Sequence, residues 1–163
     1  MNDQPEQQAL PPILVTAQYV KDLSFEAPGA PAIYADMANA TPDIAVQVDL
    51  TVQGLQEPLF EVTLKIGVNA TLPDGKVAFI VDLTYAGIFA ISVPEEHRQP
   101  VLLVECPRLL FPFARNIVAD VIRDGNFPPL LLQPIDFVAL YRSRLEQGAI
   151  ETVPPPNGGI TVN

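Results

Sequence analysis

Few side chains in this sequence could carry out covalent chemistry. The single histidine, His97, lies in Pro94-Glu95-Glu96-His97-Arg98-Gln99-Pro100. An imidazole beside two carboxylates could ligate a metal or act as a base, yet a lone histidine in a polar loop has the pattern of a surface residue. The single cysteine, Cys106, could be a nucleophile if a neighbouring base held it as thiolate. It sits among apolar residues with no base motif nearby, the setting of an inert buried thiol. One cysteine also forms neither an internal disulfide nor a zinc site. Carboxylate pairs such as Asp22 with Glu26, or Glu95 with Glu96, suit acid–base work, but among 19 acidic residues such pairs arise by chance. The sequence contains no GxGxxG after a strand, no GxxxxGK[ST] and no GxSxG. The expectation is a protein that binds rather than catalyses, with no cofactor and no metal.

Composition narrows what is bound. A chain of 163 residues with 48% hydrophobic and 17% charged residues is sized for one domain with a real core. The net charge of −10 argues against nucleic acid and anionic membrane as partners, because phosphates would repel it. Residues 1–96 hold 13 acids against three bases, Lys21, Lys65 and Lys76, and residues 97–163 balance at six of each. A one-sided field of this kind steers a basic partner. The N-terminus, MNDQPEQQALPP, carries Asp3 and Glu6 and no basic n-region, so it does not read as a signal peptide. No apolar run approaches the roughly 20 residues of a membrane span. A cytoplasmic protein without direct membrane insertion is expected.

The elements that must position such a binding surface divide with the charge. From Asp43 to Gln53 the residues Ile44, Val46, Val48, Leu50 and Val52 alternate with polar ones, the period of a half-buried strand. The pattern resumes with Phe60, Val62, Leu64, Ile66 and Val68, turns at Pro73-Asp74-Gly75, and continues from Val77 to Ile91, where Gly87 suggests a bulge or bend. Ile13–Glu26 alternates as well, with Val15, Ala17, Tyr19, Lys21, Leu23 and Phe25 on one side and Thr16, Gln18, Asp22, Ser24 and Glu26 on the other. Four strands with short links among the last three give an antiparallel sheet. The long, proline-bearing link from Ala27 to Pro42 reads as a crossover.

The remainder reads as helices. Pro107–Asp124 carries Leu110, Phe113, Ala114, Ile117, Val121 and Ile122 at helical spacing, with Phe113 expected in the core, a kink at Pro112 and a cap at Gly125. Gln99–Cys106 is a preceding helical turn. A second helix starts at Asp136 as N-cap and runs through Phe137, Leu140, Tyr141 and Leu145 to Gly148. The intervening Asn126–Pro134, with Phe127, Leu130, Leu131 and Leu132, is apolar enough that it must be buried or offered to a ligand. The fold class is therefore α+β, with one domain over residues 13–147, a flexible N-terminus at 1–12 and a flexible Pro/Gly-rich tail at 148–163. Phe25, Tyr34 and Tyr141 could line a groove between loop and sheet that takes extended apolar peptide.

Ordered motifs sharpen this expectation. Tyr19-Val20-Lys21-Asp22-Leu23-Ser24-Phe25-Glu26-Ala27-Pro28, Ala30-Pro31, Gly87-Ile88-Phe89, Cys106-Pro107, Leu110-Phe111-Pro112-Phe113-Ala114-Arg115 and Asp124-Gly125-Asn126-Phe127-Pro128 follow one another with Leu130, Leu132, Pro134 and Phe137. Over residues 13–147 this series resembles the SecB family of protein-export chaperones. The resemblance implies an ATP-independent holdase that forms a homotetramer, a dimer of dimers, and passes unfolded secretory preproteins to the SecA ATPase. It implies SecA contacts at Asp22, Glu26, Ile80 and Asp82, and a link to subunit association at Phe79, Val81, Leu83 and Tyr85. Its client groove, between crossover, sheet and second helix, would draw on Phe25, Tyr34, Met37, Phe137, Leu140 and Tyr141. Relatives often carry a Trp in the crossover; this chain has none, and Met37 is the nearest bulky residue. Two other readings stand beside the export chaperone: a related chaperone serving a toxin–antitoxin pair, and a small α+β domain with a pocket for an apolar ligand.

Overall fold

Strands β2 (Asp43–Gly54) and β3 (Leu59–Thr71) form where the period-two pattern is strictest, and they pair antiparallel from Asp43↔Thr71 to Gly54↔Phe60 without a register shift. A computed structural model describes residues 9–148 and the backbone of 159–162. The turn into β4 (Val77–Ile91) closes at Gly75, whose φ of +89° suits glycine, and Asp74 Oδ1 accepts the Lys76 N–H at 3.0 Å. Strand β1 (Ile13–Glu26) pairs antiparallel with β4, so the sheet order is β1-β4-β3-β2. The crossover therefore carries the chain from one edge of these four strands to the other, and includes a short helix, α1 (Ile33–Met37). A four-residue strand, β5 (Gly159–Val162), adds antiparallel to β2 at Leu50–Gln53, one strand more than the expected sheet. The flexible ends expected at the termini lie, for residues 1–8 and 149–158, outside the described residues.

Strand β1 departs from its simple alternation. Its register with β4 shifts between Val15 and Ala17 and again between Val20 and Asp22. Each shift inserts an extra residue, and each reverses which parity faces inward. Ile13, Val15, Val20, Leu23 and Phe25 consequently stand opposite Ile91, Phe89, Tyr85, Leu83 and Val81 of the core face. Ala17, Tyr19, Asp22, Ser24 and Glu26 stand opposite Ile88, Ala86, Thr84, Asp82 and Ile80 on the outer face. The uninterrupted Val15-to-Phe25 face expected from the sequence is thus split between the two sides.

The core face is covered by helix. Helix α2 (Glu95–Pro100), a π-helical turn (Val101–Glu105) and α3 (Cys106–Asp124) follow one another directly. Pro107 has no N–H for Leu103 and would clash with its carbonyl; opening the turn before it relieves this, and the Cys106 N–H bonds Val101 O instead. Buried Cys106, Leu110, Phe111, Ala114, Val118 and Ile122 turn toward the sheet, and α3 runs on through Pro112. At Gly87 the approach is closest: a Cβ there would lie 2.8 Å from Leu110 and 2.9 Å from Phe89. Phe113 differs from expectation: it is 51% exposed and stacks on Tyr85 at 6.5 Å, because it stands at the margin of the buried side of α3. Helix α4 (Phe137–Glu146) starts as expected, with Asp136 Oδ1 accepting the Ala139 N–H at 2.9 Å.

Candidate functional site

The outer face gathers the acidic residues singled out from the sequence. Asp22, Ser24 and Glu26 on β1 stand beside Thr84, Asp82 and Ile80 on β4, and Asp82 and Ile80 in turn face Gly67 and Asn69 on β3. Asp22, Glu26 and Asp82 are exposed, and Ile80 is half-buried among them. The four expected SecA-contact positions therefore share one end of one face. Gly67 leaves a shallow depression of about 130 Å³ beside Asp82, bordered by Gln47, Asp49, Lys65 and Thr84. A Cβ at Gly67 would touch Asp82 Oδ1 at 3.4 Å, so the missing side chain keeps this carboxylate open on one flank.

Next to this patch lies a polar cluster that sequence reading did not single out. Glu61 on β3 accepts hydrogen bonds from the Tyr19 hydroxyl, from Lys21 Nζ at 2.8 Å and from Thr63 Oγ1 at 3.3 Å. The link reaches from β1 to β3 across β4, where the residue opposite Tyr19 is the small, fully buried Ala86. Burial alone would raise the Glu61 pKa, but the hydrogen bonds from Lys21 and Tyr19 and the Lys21 charge prevail and hold it below its ordinary value. Burial, the hydrogen bond to Glu61 and its negative charge together push Tyr19 up to about 12. No short motif marks this triad, because its members lie 42 and 40 residues apart in sequence.

The core face holds the residues expected to line a client groove, in two groups. Phe25 and Tyr34 belong to the first, an aromatic cluster completed by Phe79 and Phe127. Tyr34 lies 5.3 Å and Phe79 4.9 Å from Phe127, and Phe25 lies 6.2 Å from Phe79. The Tyr34 hydroxyl donates to Gly125 O at 2.9 Å, fastening the crossover to the end of α3. Met37 is half-buried on α1. The second group sits on α4: Phe137 is buried against Phe111 at 6.2 Å, half-buried Leu140 follows, and the Tyr141 hydroxyl donates to Gln99 Oε1 at 3.2 Å. Phe127 joins the site from the apolar, proline-rich loop, the one sequence signal that pointed to it. Between crossover and the β3–β4 turn, a depression of about 220 Å³ is lined by Asp36, Asn39, Ala40, Leu72, Pro73 and Asp74, and Lys76 ties Asp36 at 2.9 Å to Asp74 at 3.3 Å.

The four β4 residues expected from the resemblance to bear on association occupy a different place from a free interface. Phe79, Val81, Leu83 and Tyr85 are 3%, 0%, 1% and 6% exposed within the single chain, buried by its own helices. Exposed apolar side chains instead lie at Leu109 and Phe113 on α3 and at Val20 and Leu23 on the edge strand β1. His97 is exposed on α2. Cys106 is buried, and burial, with the adjacent Glu105 charge, drives its thiol pKa up, away from the thiolate a nucleophile needs. Among the described residues no helix is long and apolar enough to cross a membrane.

Comparison with known proteins places this architecture. A family model described as "Preprotein translocase subunit SecB" matches residues 6–148. A protein-export protein SecB of Paramagnetospirillum magneticum is 56% identical over 135 residues, which span 83% of this chain and 86% of that one. The same protein of Acidiphilium cryptum is 50% identical, over 87% of this chain and 94% of its own. Among solved structures, a SecB-like chaperone of Mycobacterium tuberculosis, determined with an antitoxin peptide, superposes with a TM-score of 0.59 at 16% identity, over 76% of this chain and 91% of that one; at that identity the likeness concerns the fold. A four-stranded antiparallel core sheet, a long crossover, two C-terminal helical elements and identities near half over most of the length agree, and the chain belongs to the SecB family of protein-export chaperones.

Proposed function

We propose that this SecB-family chain works in the cytoplasm as a holdase without catalysis of its own, holding unfolded secretory preproteins and handing them to SecA. The observation that carries the handover is the co-location of Asp22, Glu26, Ile80 and Asp82: three exposed carboxylates around one apolar side chain suit a basic docking surface with an apolar centre. Clients are held at the aromatic cluster under the crossover, with Phe25, Tyr34 and Met37, and along α4 with Leu140 and Tyr141. Phe137, at 2% exposure, serves by shaping that helix's seat. A flexible Met and ring faces suit sequence-tolerant apolar binding. Energy for cycling comes from the motor.

The active form is a homotetramer, a dimer of dimers. Leu109, Phe113, Val20 and Leu23 provide apolar surface for subunits to cover, whereas Phe79, Val81, Leu83 and Tyr85 influence association through the packing beneath it. The toxin–antitoxin reading is not favoured, since the curated relatives near 50% identity are export proteins and the antitoxin-bound chaperone is 16% identical.

The test mixes the purified protein with a slow-folding secretory precursor and follows refolding. A delay with a stable complex is expected; unhindered refolding would overturn the holdase reading. Asp22→Lys with Glu26→Lys should weaken SecA binding while the oligomer persists, and added salt should weaken SecA binding more than client binding. Loss of the oligomer in that variant would make the two acids structural.

A further inference from the structure

We infer that Glu61, with Tyr19, is a positioning residue for the acidic docking face: it draws the Lys21 ammonium across the sheet, so that Asp22 and Glu26 meet a basic partner un-neutralised. The inference rests on the SecA-docking reading of that face. Lys21 is the extra residue of the second β1 shift, between Val20 and Asp22, and neighbours Asp22 directly. Left free, its flexible side chain would be the nearest cation to the docking carboxylates. Instead its Nζ lies 2.8 Å from Glu61 Oε1, and the Glu61 side chain is only 14% exposed, held from its other oxygen by Tyr19. The bulge gives Lys21 the room to lean away, and buried Ala86 lets Tyr19 pass over β4 to Glu61.

Lys65 supplies the contrast. It lies on the same outer face, opposite Asp49 and Thr84 and bordering the depression beside Asp82. Among the described residues it makes no ion pair. The face therefore carries one fastened and one unfastened cation, and only the unfastened one screens the docking acids.

The test measures SecA binding to the full-length protein at low salt. Lys21→Met should change affinity less than about twofold, while Lys65→Met should raise it more than that. Glu61→Gln should lower affinity about three- to tenfold by releasing Lys21, and the Lys21→Met/Glu61→Gln double variant should return it close to the starting value. The Glu61→Gln loss should shrink when salt is raised toward about 0.5 M, because the released charge is exposed and screened; a loss caused by damaged folding would remain and would also reappear in the double variant. The inference is overturned if Lys21→Met raises affinity as Lys65→Met does, since Lys21 would already be screening the acids, or if Glu61→Gln leaves binding unchanged. Asp22→Asn with Glu26→Gln separates this from the parent reading. If that pair leaves SecA binding intact, the docking face itself is wrong and the positioning role falls with it; if the pair weakens binding and Glu61→Gln does not, only the positioning role is refuted.

Discussion

Gly125 is where the crossover, β1 and the end of α3 meet, and replacing it with Ala tests that junction. A Cβ at Gly125 would lie 2.2 Å from Phe25 Cζ, 2.6 Å from Cε1 and 3.1 Å from Cε2, where ordinary contact begins at 3.4 Å. The ring must retreat by more than an ångström, but Phe79 is stacked 6.2 Å away and Phe127 flanks it at 6.3 Å. Overpacking of this kind costs about 1–3 kcal/mol. The φ of −77° at Gly125 admits alanine without strain, so reduced freedom of the unfolded chain returns about 0.4–1 kcal/mol. The net loss is about 1–2 kcal/mol. If the backbone yields rather than the ring, the 2.9 Å bond from Tyr34 to Gly125 O is put at risk, which costs a similar amount.

Urea unfolding followed by circular dichroism at fixed protomer concentration reads this loss, because association would otherwise shift the midpoint. The decisive version is a double-mutant cycle with Phe25→Leu. Leucine lacks the offending ring atoms, so Gly125→Ala should become neutral or slightly stabilising in that background, giving a coupling of about 1–3 kcal/mol, the overpacking cost itself. Equal cost of Gly125→Ala in both backgrounds would refute the contact argument, and no cost in the native background would refute the close approach itself.

Three further predictions concern the triad and the second helix. Tyr19 is raised above its ordinary value, so the stability it lends is complete below about pH 10 and is lost as pH rises through about 12; Tyr19→Phe should flatten that alkaline decline, and difference absorbance of the phenolate should lose its latest-titrating component. Glu61 is shifted the other way, so its contribution is present above the ordinary carboxylate range and disappears as pH falls through its depressed value; Glu61→Gln should reduce the acid sensitivity of unfolding, and an unchanged profile would count against the Lys21 and Tyr19 bonds. Asp136→Ala removes the cap on Ala139 N–H and should cost about 0.5–2 kcal/mol, read by the same urea assay; a neutral result would show that water replaces the cap.

Strands β2 and β3 were legible because their apolar residues, Ala45 and Leu59 apart, obey period two and their ladder has no shift. The Asp22–Glu26 pair was legible too, since both are even-numbered and no bulge falls between them. What escaped was the relation of that pair to the rest of β1. The run Val15, Ala17, Tyr19, Lys21, Leu23, Phe25 is a faultless alternation on paper, and only pairing with β4 reveals the two extra residues. The same limit applies to the helices. Periodicity located α3, but Phe113 lies at the margin of the buried stripe, where angle alone does not decide between core and surface; it is half exposed while stacking on Tyr85. The π turn answers to Pro107, whose effect falls on the turn before it and so lies outside the amphipathic run. Glu61 gave no signal because its partners are assembled by β-pairing alone.

Strand β4 joins the two faces in a way that constrains how substitutions in it can be understood. Phe79, Val81, Leu83 and Tyr85 fill the core face while Ile80 and Asp82, their direct neighbours, stand on the outer face proposed for docking. A truncation at fully buried Val81 would leave a void that the sheet and α3 must absorb together. That adjustment moves the backbone which carries Asp82, opposite Ser24, and Ile80, opposite Glu26. Such a change should therefore disturb SecA docking along with subunit association. A substitution that abolished association and left docking untouched would instead mean that the residue reaches the partner directly, which its burial beneath the chain's own helices opposes.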